Sequence, residues 1–377
     1  MKNEYDELDL YRTGADTLGG RYLRRFWHPV YRSEDLPTGQ AKPVRILSED
    51  FTLYRGQTGT PHAVGNRCAH RATQLSTGFI EDDCIRCFYH GWKFAANGDC
   101  VERPGESGEP AKPIKIKGYP TEEYLGLIFV YFGEGEPPPL PRYPAMEGEG
   151  LLDITADPMP INYFYSMEND AVHFAFAHRD LLPSKGLSGI PKVWAEESDW
   201  GIVIYDEWPG RPVGITHKGI PNIGYIVPAA ILFAKGTKHA LHVSWRVPVD
   251  DEHHRTFRAN LTTVTGDEAK KILDNRPPSY YDRTVIHKMG DAVLAGEIRM
   301  EDIKDRTHIE AIQDYVAQVG QGALENRRHE RLGRIDSATV TLRRIWKREV
   351  MALAEGKPLK EWKFTDKIAM PSTYLTS

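Results

Sequence analysis

Residues 68–92 read CAHRATQLSTGFIEDDCIRCFYHGW and hold three of the chain's four cysteines together with two histidines. Cys68 and His70 are two positions apart, Cys87 and His90 are three apart, and sixteen residues separate the pairs. Thiolate and imidazole are both metal ligands, so three readings compete. Buried cysteine is often a small core hydrophobe, but two Cys/His pairs within 23 residues disfavour that reading. A structural zinc site would use the C-x-x-C of Cys84 and Cys87 with Cys68 or His70. A two-iron, two-sulfur cluster would take two cysteines on one iron and two histidines on the other. One Cys and one His from each pair fit the cluster better than any four-ligand zinc set.

A second constellation lies in MENDAVHFAFAHRD (167–180), where Asp170, His173 and His178 interrupt an apolar run. The stretch INYFYSMENDAVHFAFAH is expected to be helical over its second half. Asp170 and His173 would then share a helix face. His173 and His178 would lie about 140° apart on an ideal helix, so they can share a metal only if the helix bends or widens. A lone histidine there would be a core residue; two with a carboxylate nearby suggest more. Two histidines need one carboxylate to make the facial triad of non-haem Fe(II) sites. Asp314 in IEAIQDYVAQVGQG (309–322) is a candidate, as are Asp302 and Asp305. On that helix Ile309, Ile312, Val316 and Val319 form the apolar stripe. Asp314 falls on the other side with Ala311 and Gln318, where periodicity alone favours a solvated aspartate.

These residues need a scaffold. The chain has 377 residues, which suggests two domains. It is 40% hydrophobic and 27% charged, the composition of a globular protein. A net charge of −5 argues against a nucleic-acid or anionic-membrane partner. The longest apolar runs, LGLIFVYF (125–132) and AAILFA (229–234), are of strand length, far from the roughly 20 residues of a membrane helix. The first residues show no secretory signal, and four cysteines do not make a disulfide framework. The expected location is cytoplasmic.

From Val44 to Phe132 short β-like runs alternate with turn signals. VRILSEDFTLYRG reads as a β-like run ending at Gly56, followed by a turn in GQTGTP. EGEPPPLPRYP (134–144) can be neither helix nor central strand, so it reads as an interdomain linker. Strand-like runs return over 193–264, including IGYIVPAAILFA, and 280–355 reads as helical. In SATVTLRRIWKREVMALAEGKP, Val340, Leu342, Ile345, Trp346, Val350 and Leu353 recur at near-helical spacing, with Gly356 and Pro358 as the stop. The fold class is α+β: a small all-β domain, then a larger domain built on an antiparallel sheet.

CAHR…CFYHGW resembles the Rieske motif C-x-H…C-x-x-H-G-W. The resemblance assigns Cys68 and Cys87 to one iron and His70 and His90 to the other. D-x-x-H-x-x-x-x-H after "EN" resembles the mononuclear-iron motif of Rieske non-haem iron oxygenases. That match makes His173 and His178 iron ligands, and Asp170 the acid that bridges a Rieske histidine to an iron-ligand histidine. Glu168, Asn169 and Asp170 are contiguous here, whereas many relatives space "EN" from the Asp, so Glu168 and Asn169 receive no implied role. The family places its third ligand in a similar "QD…V…QG" helix, which selects Asp314. ENRRHERLGRIDSATVTLRRIWKREV resembles the C-terminal part of the α-only, phthalate and phenoxybenzoate group. The resemblance spans roughly residues 20–355.

What the resemblance implies is a Rieske domain over 27–140. It also implies a helix-grip catalytic domain, an antiparallel sheet flanked by helices, over 1–26 and 141–377. The implied activity is that of a terminal oxygenase. It would use O₂ at a non-haem Fe(II) to hydroxylate, cis-dihydroxylate or demethylate a small aromatic substrate, with or without a carboxylate. No G-x-G-x-x-G follows a strand, so NAD(P)H would act through a separate flavin/iron–sulfur reductase or ferredoxin. A homotrimer, or paired trimers, is implied, with Asp170 at the subunit contact. Arg179 is one candidate for a substrate carboxylate, though a surface role is the simpler reading. The competing classes are a Rieske electron carrier without oxygenase chemistry and a zinc-binding interaction module.

Overall fold

The computed structural model describes residues 5–107, 112–169, 171–220, 223–228, 240–276 and 283–363. The second half of the expected strand IGYIVPAAILFA lies outside them. The chain divides into two compact units. One comprises residues 13–140 with 247–250; the other comprises 1–12, 141–246 and 251–377.

The 13–140 unit is almost entirely β. After the short helix α1 (Leu18–Leu23) come β1 (Trp27–Arg32), β2 (Ala41–Ile46), β3 (Glu49–Arg55) and β4 (Pro61–Gly65). A run of short strands follows: β5 (Phe79–Glu81), β6 (Cys84–Arg86), β7 (Lys93–Phe94) and β8 (Cys100–Glu102). β9 (Gly118–Tyr119), β10 (Thr121–Tyr124) and β11 (Leu127–Tyr131) close the unit. They form three antiparallel sheets, ordered β1-β11-β10, β2-β3-β4-β9 and β5-β6-β7-β8. LGLIFVYF supplies β11, in which every residue from Leu127 to Tyr131 is buried.

One turn in this unit was invisible in the sequence. VRILSEDFTLYRG is not one run but two strands joined at Leu47-Ser48, both at positive φ (53° and 60°). A two-residue hairpin of this hand normally takes Asn-Gly. Here Leu47 is fully buried, and the backbone N–H groups of Leu47 and Ser48 donate to the carbonyls of Pro248 and Val249, each at 2.9 Å. Tertiary contacts hold a conformation that the local residues disfavour.

The larger unit is built on a seven-stranded antiparallel sheet. Its strands are β12 (Leu151–Met159), β13 (Lys192–Glu197), β14 (Gly201–Glu207), β15 (Gly214–Gly219), β16 (Ile223–Pro228), β17 (Ala240–Pro248) and β18 (His254–Thr262). The order is β12-β18-β17-β16-β15-β14-β13. The helices are α2 (Tyr163–Glu168), α3 (Gly266–Asp274), α4 (Thr284–Leu294), α5 (Ile309–Val319) and α6 (Ser337–Ala354). α6 packs on β13 and β14. Its buried stripe is Leu342, Ile345, Trp346, Glu349 and Val350, the i, i+3, i+4, i+7, i+8 pattern. Val340 was expected on this stripe but is exposed, because two positions before Leu342 is the opposite side of a helix. Gly356 stops the helix at a positive φ of 66°. α4 and α5 approach closely at Gly290, where a Cβ would lie 2.3 Å from the Tyr315 ring. No described helix is long and apolar enough to cross a membrane.

Each unit buries a neutral histidine. His28 in β1 shares a 2.9 Å hydrogen bond with the Leu23 carbonyl, and His254 in β18 a 2.8 Å bond with the Ile161 carbonyl. Burial pushes them down to about 4 and about 3. Their folded pKa values lie below the unfolded value of about 6.5, so their contribution is complete above pH 6.5. It is lost progressively as pH falls from there toward the folded values. At pH 5 the loss is on the order of 2 kcal/mol per histidine. Thermal midpoints measured from pH 7.5 to 5 should fall accordingly. His254→Asn, whose amide can still donate to Ile161, should flatten the slope; an unchanged slope would contradict this origin.

Candidate metal centres

The first site sits on two loops of the 13–140 unit. After β4 the chain turns through 66–74, where the Cys68 amide donates to the Thr73 carbonyl and the Ala72 amide to the Cys68 carbonyl, both at 2.9 Å. Between β6 and β7, the Cys87 amide donates to the Trp92 carbonyl (2.8 Å) and the Gly91 amide to the Cys87 carbonyl (3.1 Å). Gly91 has a φ of +76°, which favours glycine. Both loops present their cysteine inward. Cys68 and Cys87 belong to a buried cluster with Tyr54, Val64, Leu75, Ile85, Trp92, Phe94 and Ile116.

The two imidazoles face the other way. His70 and His90 are exposed, with ring centroids 4.6 Å apart in an edge-on arrangement. Trp92 stacks flat on His70 at 4.8 Å. Burial pushes the Cys68 thiol up to about 11, and the neighbouring Cys87 sulfur adds to this against amide donation from His70 and Arg71. A cationic centre bound there would remove those protons. The four residues do not gather as they would around a single ion; among the described residues only one group of three or more ligands does so, and it lies elsewhere. Two buried sulfurs and two surface imidazoles, spread wider than one ion needs, fit a two-iron cluster better than zinc. Cys84 and Cys100 are half-buried free thiols in β6 and β8.

The second site is that one group: His173, His178 and Asp314, with ligand atoms all within 4.8 Å of one another. His173 Nε2 and His178 Nε2 lie 3.3 and 3.4 Å from Asp314 Oδ1. Asp302 and Asp305 do not join them. Both are exposed; Asp302 pairs with Arg299, and Asp305 accepts from Thr307.

The helix expected around the histidines forms one half earlier. α2 occupies the first half of the stretch and stops at Asn169, whose ψ of 127° is extended. A 3-10 turn, Ala171–Ala175, carries His173, and His178 follows in the next turn. This break answers the spacing problem, since the five-residue separation no longer spans an α-helix. His173 and His178 meet with ring centroids 4.8 Å apart. Asp170 lies outside the described residues.

α5 brings Asp314. Ile309, Ile312, Val316 and Val319 pack with Ile286, Ile303 and Tyr315 as the stripe requires. The opposite side of α5 faces the histidines rather than water. Burial works to raise the pKa of Asp314, but hydrogen bonding and charge from His173 and His178 outweigh it and hold the carboxyl well below its usual range. For His178 burial works downward, and the nearby acceptor oxygens of Asp314 and Gln313, with the charge of Asp314, outweigh it and raise the pKa. Nε2 of His178 is buried without a hydrogen bond of good geometry. Two imidazoles and one carboxylate converging on one point are the donor set of a non-haem iron site. The residues present fit that metal.

Three supporting residues escaped the sequence reading. Lys218, a buried lysine in β15, donates from Nζ to the Met167 carbonyl (2.7 Å) and to that of Asn169. It thereby caps carbonyls that the end of α2 leaves open. Glu168, given no role from sequence, is held by two arginines. Arg327 contacts both of its oxygens at 3.2 and 2.7 Å, and Arg343 does so at 2.5 and 3.0 Å. The Arg327 guanidinium also lies over the rings of Tyr11, Phe164 and Tyr165. Gln313, beside Asp314, contacts Nδ1 of His178 at 2.8 Å. A lysine inside a strand was the one available signal for Lys218; the partners of Glu168 and Gln313 lie more than 130 residues away.

Comparison with known proteins agrees with this geometry. The Rieske [2Fe-2S] domain family matches residues 26–120. The chain is 32% identical to phenoxybenzoate dioxygenase subunit alpha of Ectopseudomonas oleovorans, over 93% of this chain and 86% of that one. It is 29% identical to the 5,5'-dehydrodivanillate O-demethylase oxygenase subunit of Sphingobium sp., over 93% and 81%. The fold matches the terminal oxygenase of carbazole 1,9a-dioxygenase from Novosphingobium sp. KA1, with a TM-score of 0.63, 20% identity and 90% and 93% of the two chains covered. A carbazole 1,9a-dioxygenase oxygenase of this fold is also solved as a complex with ferredoxin. The chain belongs to the Rieske non-haem iron oxygenases, among the alpha-type oxygenase subunits of the phthalate and phenoxybenzoate group. It is a terminal oxygenase, and its cofactors are a Rieske [2Fe-2S] cluster and a mononuclear iron.

The Glu168 anchor yields a stability prediction. Glu168→Ala leaves two guanidinium groups facing each other with their buried partner gone, and should cost about 3–5 kcal/mol. Asp50→Ala, which breaks the exposed Arg45–Asp50 pair, should cost under about 1 kcal/mol. Thermal denaturation of both variants checks the contrast.

Proposed function

We propose that Cys68 and Cys87 hold one iron of the cluster, that His70 and His90 hold the other, and that His173, His178 and Asp314 hold the mononuclear iron. On this reading the 13–140 unit is the electron-transfer domain and the larger unit is the catalytic one. The observation that carries the proposal is the convergence of two imidazoles and a carboxylate, His178 and Asp314 being 136 residues apart in the chain, on one point. When bound, the cluster supplies electrons one at a time and the Fe(II) supplies the centre that reacts with O₂.

The chain's own residues do the rest. Trp92, flat against His70, fixes the plane of that ring. His70 and His90, both exposed, would hold the cluster's second iron at the surface of the unit. Three protein ligands at the second site leave coordination positions open for other molecules. Asp170 is proposed as the group linking the two sites between subunits of a homotrimer. Family likeness supports that role.

The substrate class we propose is an aromatic carboxylate, undergoing hydroxylation, dihydroxylation or oxidative demethylation. The support is that the two relatives above are named for a benzoate and a divanillate. Arg179 is exposed and so is not favoured as the carboxylate anchor. Electrons are proposed to come from a separate reductase or ferredoxin, in the cytoplasm.

Oxygen uptake with a surrogate reductase and a panel of aryl carboxylates tests the activity; uptake independent of every aromatic substrate would contradict it. Asp314→Ala should lose the mononuclear iron and turnover while keeping the cluster's visible spectrum. Retained iron would move the third ligand to another residue. Asp170→Ala should keep both metal centres and lose coupled turnover; normal product formation would remove Asp170 from the path.

A further inference from the structure

Gln313 is almost fully buried, with 5% of its surface exposed, and both ends of its amide are engaged. Oε1 lies 2.8 Å from Nδ1 of His178. Nε2 donates to Asp180 Oδ1 at 3.0 Å. Asp180 in turn pairs with Arg306 just before α5. A carboxylate can only accept, so Asp180 dictates which way the amide points. The reversed amide would set its carbonyl against the Asp180 carboxylate, two acceptors face to face. With the amide so fixed, Oε1 can only accept, and Nδ1 of His178 must carry its proton. In the neutral ring Nε2 is then the unprotonated nitrogen, and it is the one that faces Asp314 at 3.4 Å. An imidazole binds a metal through the nitrogen that lacks the proton.

We infer that Gln313, oriented by Asp180, is a positioning residue that sets the tautomer and ring plane of His178 for metal binding. The inference rests on the reading of His178 as an iron ligand. The arrangement is compact in sequence. Asp180 follows His178 by two positions, and Gln313 precedes Asp314 by one. Each of the two segments therefore brings one ligand and one half of the device that orients His178. Removal of such a partner typically weakens metal binding ~10–100-fold.

The test uses the full chain, loaded anaerobically with Fe(II) against a colorimetric chelator, with the cluster's visible spectrum as the measure of fold. Gln313→Leu should bind Fe(II) ~10–100-fold more weakly with that spectrum unchanged. Gln313→Glu combined with Asp180→Asn exchanges donor and acceptor between the two residues yet still offers His178 an acceptor. This double variant should recover wild-type affinity. Wild-type affinity in Gln313→Leu would overturn the inference, as would a double variant as weak as Gln313→Leu, since Gln313 would then only fill space. If the leucine variant loses its cluster spectrum, the double variant decides: recovery supports the inference and loss overturns it. His178→Ala separates the layers. Iron retained in that variant overturns the ligand reading, and the inference with it. Iron lost there but kept in Gln313→Leu overturns only the role of Gln313.

Discussion

Two imidazole nitrogens face one carboxylate oxygen across 3.3 and 3.4 Å, and much of the larger unit is arranged to hold that meeting. These groups keep that geometry only because the elements that carry them are fixed from outside. The fixing comes from three directions. α5 is clamped by its apolar stripe and by Gly290, which lets Tyr315 lie against α4. α2 is buried on every side from Tyr163 to Met167 and anchored at its end by Glu168 with Arg327 and Arg343. Lys218 then collects the carbonyls at the end of α2, so the chain leaves the helix in a set direction just before the histidines. Asn169, at that exit, donates from its side-chain amide to Asp314 Oδ1 at 3.4 Å.

The two centres are built on opposite principles. In the 13–140 unit the cysteines are core residues and the histidines are surface residues, so a cluster held there would have a buried end and an exposed end. In the larger unit His178 is fully buried and His173 largely so. An iron held by these residues would lie where His178 keeps bulk water from one side.

Legibility followed the range of the interactions. The C-x-H and C-x-x-H pairs stand out as candidate ligands in sequence because each pair sits on one short loop. The all-β and antiparallel-sheet architectures could be read from runs of β-branched and aromatic residues bounded by turns. Asp314 could not be separated from Asp302 and Asp305 by periodicity, because a helix face turned toward histidines looks the same in sequence as one turned toward water. The break of α2 at Asn169 was likewise hidden, since it depends on Lys218, about 50 residues away. The Leu47-Ser48 turn carries neither glycine nor asparagine and is imposed by Pro248 and Val249. Each miss is a place where a distant partner overrides local preference.

One chain holds a two-iron cluster and a third, separate iron. A metal count on the purified protein, taken with the visible and EPR spectra of its reduced form, tests it most directly. Three irons per chain, no zinc, and the spectrum of a reduced [2Fe-2S] centre with mixed Cys/His ligation are expected. A colourless protein carrying zinc and no iron would contradict it.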